Sequence, residues 1–217
     1  MPSDTLTEKC GIFGIFGKGL DASRLTYYGL FALQHRGQES SGIASSDGAS
    51  IYSFKNVGLV THAYTENDIT SLAGHMAIGH NRYATSKETG HAHAQPILID
   101  QSFAFAHNGN IPDTTKLESF LTSKSVDCSN MNDSEMMAKS IEWYHQQGQT
   151  IVESITHALP LFTGAYCFVV LTKDSLIAVR DQYGIRPLAI AKLNGGYVVA
   201  SEDCAFHTIG AEFIREV

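Results

Sequence analysis

The spacing of apolar residues along the chain predicts strands, then helices, then strands again. The first strands are predicted at 11–16, 42–46, 50–54, 75–81 and 102–107, with one helix between Asp21 and Gly37. Three helices are predicted next, at 114–122, 134–147 and 151–159, and further strands follow at 165–171, 175–180, 187–191 and 197–201. Strands and helices do not alternate regularly, which favours an α+β fold with antiparallel sheets and grouped helices.

Composition limits the class of protein. The chain has 217 residues, of which 43% are hydrophobic and 17% charged, so it can fill the core of one large domain or two small ones. No apolar run approaches the ~18 residues that a membrane span needs, so no membrane partner is expected. The net charge is −7 and no cluster of Lys and Arg occurs, so nucleic acid is not expected as a partner either.

The cysteines and histidines give no metal pattern. The spacings of Cys10, Cys128, Cys167 and Cys204 match no zinc motif, and residues 1–9 carry no secretory signal. We therefore expect a cytoplasmic protein with free thiols. His91 and His93 flank a small Ala in a predicted loop without a companion carboxylate or Cys, so no metal site is expected.

Cys10 stands directly before the first apolar strand, after a polar segment that fits no secondary structure. A small buried hydrophobe at the start of a strand is the common explanation for such a Cys. The alternative is that residues 1–9 are a removable propeptide and that Cys10 becomes the mature N-terminus. An unperturbed thiol has a pKa of about 8.5 and an α-amino group one of about 7.7–8.0, so the amine of the same residue can act as the base.

Six short motifs carry a family resemblance. They are CGIFGI at 10–15, LQHRGQESSGI at 33–43, GHNRYAT at 79–85, HNGN at 107–110, NDSE at 132–135 and RDQYGIRPL at 180–188. Each is weak alone, but six in this order are specific. From Cys10 to about Val217 the chain resembles the N-terminal glutaminase domain of the amidophosphoribosyltransferase family. The LQHRGQES motif distinguishes this family from the fructose-6-phosphate amidotransferases.

The resemblance implies a fold and a reaction. The fold is the four-layer αββα sandwich of the N-terminal nucleophile hydrolases, in which two antiparallel sheets lie between helical layers. The reaction is that of a class II glutamine amidotransferase: the side-chain amide of L-glutamine is hydrolysed through a thioester on Cys10. The ammonia then passes to a partner domain that uses phosphoribosyl pyrophosphate in the first step of de novo purine synthesis.

The resemblance also implies an oxyanion hole at Asn108 and Gly109. An Asn-Gly pair after a strand is by itself most often a β-turn. In the family pattern, the Asn108 side-chain amide and the Gly109 backbone N–H donate to the carbonyl oxygen on which negative charge develops. Acyl transfer needs such donors, and the loss of one costs ~2.7–4 kcal/mol in other enzymes.

Five further residues are implied to bind the substrate. Arg82 would hold the α-carboxylate of glutamine with two parallel hydrogen bonds, and Asp133 would pair with the α-ammonium group. Without the resemblance, Arg82 reads as a solvated side chain or an ordinary ion pair, and Asp133 as an acid at a helix N-terminus. Tyr83 and Thr85 would line the same pocket, and Arg36 would support the nucleophile.

Parts of the family pattern differ or are missing. Gln182 stands where the family usually has Pro, and Ala84 replaces the more usual Ser. The signature of the phosphoribosyltransferase domain does not occur, so we expect the chain to be part of a longer enzyme that forms a homo-oligomer. No cofactor is expected in this chain. Mg with phosphoribosyl pyrophosphate is implied for the absent domain, and an iron–sulfur cluster there is left open.

Two alternative functions remain open from the sequence. One is the glutaminase domain of another class II enzyme, of the asparagine synthetase or glutamate synthase type. The other is a degenerate module of the same fold that binds an amino acid or a protein without catalysis.

Overall fold

Two antiparallel sheets and seven helices make up the part of the chain that the computed structural model describes, residues 10–83 and 93–217. The expected propeptide at 1–9 lies outside the described residues. The strands are β1 (Gly11–Gly17), β2 (Ser40–Ser46), β3 (Ile51–Val57), β4 (Met76–Arg82), β5 (Ile97–Ile99), β6 (Phe103–Asn110), β7 (Ala165–Leu171), β8 (Leu176–Arg180), β9 (Ala189–Leu193), β10 (Gly196–Ala200) and β11 (Glu212–Glu216). The helices are α1 (Ala22–Ala32), α2 (Val60–Ala63), α3 (Glu66–Ser71), α4 (Thr115–Ser123), α5 (Asp133–Gln146), α6 (Ile151–Ala158) and α7 (Cys204–Ile209).

The strand order places the start of β1 in the middle of the larger sheet. That sheet has the order β11-β9-β10-β1-β4-β2-β3, and the smaller one has the order β5-β6-β7-β8. Gly11 pairs with Asn81 of β4, and Ser40 of β2 pairs with Arg82. The residue before β1 therefore lies beside the end of β4, with the start of β2 on the far side of β4.

Alternating side chains build four layers. On β6, Phe103 and Phe105 pack against the layer of α4, α5 and α6, whereas Ala104 and Ala106 face the larger sheet. On β1, Phe13 packs toward the helices on the outer face of the larger sheet. Because successive strand residues point to opposite faces, each sheet separates a helical layer from the shared middle core. The predicted αββα sandwich is confirmed.

Most predicted elements are present, with differences at their ends. The helix predicted after Asp21 ends at Ala32, and a 3₁₀ turn follows at Gln34–Arg36. The strand predicted at 187–191 begins only at Ala189, because the preceding loop is held by side-chain bonds to Arg180. Elements too short to show a periodicity were missed: α2, α3, α7 and β5. Within the described ranges, no helix has both the length and the apolar character to cross a bilayer.

Candidate active site

Cys10 lies just before β1 of the larger sheet and is held there by hydrogen bonds of its backbone. Its N–H donates to the carbonyl of Arg36 at 3.0 Å, and its carbonyl accepts from Arg36 Nε at 2.8 Å. Cys10 has a φ of +66°, in the left-handed region that residues with a side chain rarely adopt. Such strain persists only where the surroundings enforce it, and it is frequent at functional sites.

The environment of the Cys10 thiol combines burial with positive charge. Burial raises the pKa of the thiol, whereas a hydrogen bond from the Tyr83 backbone N–H and the charges of Arg82, Arg36 and Arg186 lower it. The net direction is upward. The resting group is therefore a thiol, and a base must remove its proton before it can act as a nucleophile.

Arg36 is buried, with 1% of its surface exposed, and its charge is balanced by Glu202. The guanidinium contacts the Glu202 carboxylate through Nη1 while Nε holds the carbonyl of Cys10. Gly37 lets the turn that carries Arg36 pack against the end of β4, because a Cβ there would lie 2.6 Å from the carbonyl carbon of Arg82. Arg36 thus fixes the backbone of Cys10 rather than its sulfur.

Arg82 and Glu39 form a second, looser ion pair. Arg82 Nη1 lies 3.7 Å from Glu39 Oε1, and the two side chains are only 14% and 12% exposed. Both Glu39 oxygens and Arg82 Nη1 lack a hydrogen-bond partner among the described residues. Buried charged groups without hydrogen bonds are costly, so this pair is incomplete as it stands. A bound carboxylate could complete the donor set of Arg82.

Asn108 and Gly109 lie near the end of β6. The Asn108 side chain is fully buried, yet neither its Nδ2 nor its Oδ1 has a partner in the described part of the chain. Gly109 pairs with Tyr166 of β7, whose N–H and carbonyl are both bonded to Asp181 on the opposite side. Since the N–H and carbonyl of a strand residue point the same way, the Gly109 N–H points away from β7. Among the described residues, Asn108 Nδ2 has no partner and the Gly109 N–H is turned away from β7, so both donors are placed to bind a ligand.

The geometry at Gly109 requires glycine. Its φ is +155°, and a Cβ would lie 2.5 Å from the Ala165 carbonyl oxygen and 2.7 Å from Tyr166 Cα. Both neighbours are backbone atoms of the paired strand and cannot move aside cheaply. The close approach keeps the Gly109 N–H at a fixed position.

Two buried histidines join the sheets next to this strand end. His80 Nε2 lies 3.1 Å from the His107 carbonyl, and His107 Nδ1 lies 2.8 Å from Ser134 Oγ. Gln95 bonds both the His107 N–H and Ser134 Oγ. Burial lowers the pKa of His80 to about 3 and also lowers that of His107, against the opposing charge of Asp133. Both rings are therefore neutral and hold the strands in place.

Asp133 is the first residue of α5, and its carboxylate is already partly used. Oδ2 accepts from the Ile111 N–H at 3.0 Å, and Oδ1 accepts from the Ser134 N–H at 2.8 Å. The helix is capped by Asn132, whose side chain bonds the Glu135 N–H. Each carboxylate oxygen keeps further acceptor capacity, so Asp133 can still bind a cation.

The loop after β8 brings Arg186 to both halves of the site. Arg180 binds the carbonyls of Arg186 at 2.7 Å and Gly184 at 2.6 Å, and Gly184 has a φ of +60°. The charge of Arg186 acts on the pKa of both Cys10 and His107. The loop therefore spans the gap between the larger and the smaller sheet.

Comparison with known proteins gives this arrangement a family. The model of the glutamine amidotransferase domain matches residues 80–208. The chain belongs to the glutamine amidotransferase domain family. It is 40% identical to the amidophosphoribosyltransferase of Bacillus subtilis over 98% of this chain and 45% of that protein, and 37% identical to that of Mycobacterium tuberculosis over 97% and 41%. It thus spans less than half the length of these relatives.

Solved structures give the same result for the glutamine amidotransferase domain. The B. subtilis glutamine phosphoribosylpyrophosphate amidotransferase complexed with ADP and GMP superposes with a TM-score of 0.86 at 38% identity, covering 96% of this chain and 45% of that one. A structure described as the allosteric regulatory enzyme of purine biosynthesis gives a TM-score of 0.88 at 40% identity, covering 96% and 45%. A class-II domain protein from Silicibacter pomeroyi, at 12% identity and a TM-score of 0.53, shows the fold alone.

The predicted site residues of this glutamine amidotransferase domain fall into two groups. Cys10, Arg36, Arg82 and Tyr83 surround the start of β1, with Tyr83 acting through its backbone N–H while its side chain is 41% exposed. Asn108, Gly109 and Asp133 lie at the end of β6 and the start of α5. Thr85, and the replacement at Ala84, lie outside the described residues, as does His91.

Sequence reasoning missed three charged residues of this site: Glu39, Glu202 and Arg186. Glu39 and Arg186 lie within quoted motifs, but no role was given to them. Glu202 follows β10 and lies 166 positions from Arg36, so only the fold joins the two. Gln182, where the sequence departs from the family pattern, has an exposed side chain.

Proposed function

We propose that this domain hydrolyses the side-chain amide of L-glutamine through a thioester on Cys10, with Asn108 and Gly109 as the oxyanion hole. The observation that carries the proposal is the Asn108 amide, which is fully buried and unpartnered among the described residues, beside a Gly109 N–H directed away from its paired strand. A buried polar group without a partner in the protein indicates that a ligand binds to it. Donors kept in place before the reaction stabilise a developing oxyanion most effectively.

The first step requires a free amine on Cys10. We propose that residues 1–9 are removed as a propeptide, which relieves the +66° φ of Cys10 because the amine has no preceding carbonyl. The nitrogen that donates to the Arg36 carbonyl is then an α-amino group. Its neutral form takes the thiol proton, and the sulfur attacks the amide carbon of glutamine.

The remaining steps use the same groups in turn. The carbonyl oxygen of the substrate gains negative charge and accepts from Asn108 Nδ2 and the Gly109 N–H. The amine returns its proton to the leaving nitrogen, so that ammonia departs and the thioester remains on Cys10. Water then hydrolyses the thioester to glutamate and the free thiol. Arg82 holds the substrate's α-carboxylate and Asp133 its α-ammonium group, which explains a preference for the free amino acid.

We further propose that the ammonia serves a phosphoribosyl pyrophosphate-using partner domain, as the names of the relatives indicate for those proteins. That domain would use Mg with its substrate, and the complete enzyme would be a homo-oligomer. A cytoplasmic location is part of the same proposal. It is supported by four cysteines that are all free thiols.

The test combines mass and activity. Intact-mass measurement of the purified protein is expected to show a chain that begins at Cys10, and a glutaminase assay is expected to show glutamate and ammonia. Cys10→Ala should abolish the activity, whereas Cys128→Ala, a matched change at another partly buried thiol, should keep it. A working enzyme that retains residues 1–9, or full activity in Cys10→Ala, would overturn the mechanism.

A further inference from the structure

Glu202 uses its two carboxylate oxygens for different neighbours. One oxygen, Oε1, pairs with the buried guanidinium of Arg36. The other, Oε2, lies 2.9 Å from His35 Nε2 and 3.8 Å from Cys204 Sγ. An imidazole and a thiol therefore lie beside the same carboxylate oxygen.

The three ligand atoms lie close to the spacing that a shared ion requires. The ligand atoms of His35, Glu202 and Cys204 all lie within 4.8 Å of one another. Around a tetrahedral Zn²⁺ with ordinary bond lengths, ligand atoms are separated by about 3.3–3.6 Å. The 2.9 Å and 3.8 Å separations lie on either side of that range, so changes of less than 1 Å, about the size of a small rotamer adjustment, bring both pairs into it.

Three packed segments of the chain meet at the cluster. His35 lies in the 3₁₀ turn that follows α1, Glu202 lies just after β10, and Cys204 is the first residue of α7. Cys204 Sγ also contacts the carbonyl of Ala32 at 3.7 Å, which joins the end of α1 to the start of α7. The three side chains thus come from segments whose relative position is fixed by packing.

We propose that His35, Glu202 and Cys204 bind a borderline divalent cation of the Zn²⁺ type, with water completing a tetrahedral shell. One nitrogen, one oxygen and one sulfur ligand suit such an ion and suit Mg²⁺ or Ca²⁺ poorly. The His35 side chain is 55% exposed and the Glu202 side chain 31% exposed, so the ion has a path from solvent. The site shares Glu202 with the ion pair that holds Arg36 beside Cys10, but the proposal does not depend on the glutaminase mechanism.

Arg36 would then support the ion from the second layer. Its bond to Glu202 Oε1 leaves Oε2 to the ion and fixes the plane of the carboxylate, as outer groups do at other metal sites. The sulfur enters as a thiolate: burial and the neighbouring acids Glu202 and Asp203 raise the pKa of Cys204, so binding displaces a proton from Sγ into solvent.

Cobalt absorption tests the proposal directly. Co²⁺ added to the purified protein is expected to give a near-ultraviolet thiolate-to-cobalt band and visible bands of a tetrahedral ion, both lost when Zn²⁺ is added. Cys204→Ser should remove the thiolate band, and His35→Gln should weaken Zn²⁺ binding in a chelator competition by more than the ~10–100-fold typical of second-layer losses. The exposure of His35 makes that second variant safe for folding.

Two matched controls make the result decisive. Cys128→Ser and Cys10→Ser each remove another partly buried thiol and should leave the Co²⁺ spectrum unchanged. No thiolate band in the wild type, a band that survives Cys204→Ser, or a band that disappears with Cys10 or Cys128 would each overturn the proposal. None of these outcomes bears on whether the protein hydrolyses glutamine.

Discussion

Two asparagines of this protein are equally buried and are expected to respond in opposite ways to the same change. Asn81 and Asn108 both have 0% exposure. Asn81 makes two hydrogen bonds, from its Nδ2 to the Leu30 carbonyl at 2.7 Å and to its Oδ1 from Ser41 Oγ at 2.9 Å. Asn108 makes none with the described residues. Truncation therefore breaks a network at one position and removes an unpaired group at the other.

The expected magnitudes follow from this difference. In Asn81→Ala, the loss of two buried hydrogen bonds at about 0.5–1.5 kcal/mol each lowers the free energy of unfolding by about 1–3 kcal/mol. In Asn108→Ala, relief of an unsatisfied amide offsets the small cavity, so that free energy stays within about 1 kcal/mol of the wild type. The kcat for glutamine hydrolysis, however, falls about 10²–10³-fold in Asn108→Ala because one oxyanion donor is gone.

Urea unfolding and steady-state glutaminase kinetics measure the two effects separately. The urea midpoint should fall in Asn81→Ala and stay at the wild-type value in Asn108→Ala. The kcat of the folded protein should stay at the wild-type value in Asn81→Ala and fall in Asn108→Ala. Equal destabilisation of both variants would show that Asn108 is a structural residue. Unchanged kcat in Asn108→Ala would show that the orphaned amide does not serve the reaction.

Four further outcomes are expected. Arg82→Ala should raise KM for glutamine roughly tenfold to hundredfold, because charge-assisted hydrogen bonds are worth about 1.5–3 kcal/mol; an unchanged KM contradicts the carboxylate role. Glu39→Gln should raise KM several-fold with kcat nearly unchanged, whereas an equal loss in kcat would give Glu39 a different role. Gly109→Ala should lower the urea midpoint, since its Cβ would lie 2.5 Å from the Ala165 carbonyl oxygen; a wild-type midpoint contradicts this. His80 has a pKa of about 3 in the folded protein, below its ordinary 6.5, so between pH 7 and pH 5 the unfolded chain binds a proton at this residue and the folded protein does not. The free energy of unfolding should therefore fall by about 2 kcal/mol from pH 7 to pH 5, and equal urea midpoints at the two pH values would refute this.

The long elements were predictable because they satisfy local rules at several positions at once. The strand at 165–171 has its predicted bounds, and Asn194-Gly195, a sequence typical of hairpin turns, joins β9 to β10. Helix α3 was missed although Thr65 and Asp68 form a capping box, because six residues show too little apolar periodicity. Strand β5, with three residues, depends on its pairing with β6 rather than on its own sequence.

Candidate site residues were predictable from the sequence only where they lie in a recognisable motif. Asn108 and Gly109 were predicted together because they are neighbours in one motif, and their role stays a prediction. Glu39 was not given a role, because its partner Arg82 lies in another strand and the β2–β4 register that joins them is a property of the sheet. Contacts between distant segments leave no periodicity in the sequence, so they appear only when the chain is folded.

Burial and charge act against each other at Cys10, and their balance explains why a nucleophile at this position would need a base. Arg36, Arg82 and Arg186 all favour the thiolate, but burial has the larger effect and the pKa of the thiol is raised. In the proposed mechanism that base is the α-amine of Cys10. His80 cannot replace it, because its Nε2 is engaged with the His107 carbonyl and the ring lies in the core between the sheets.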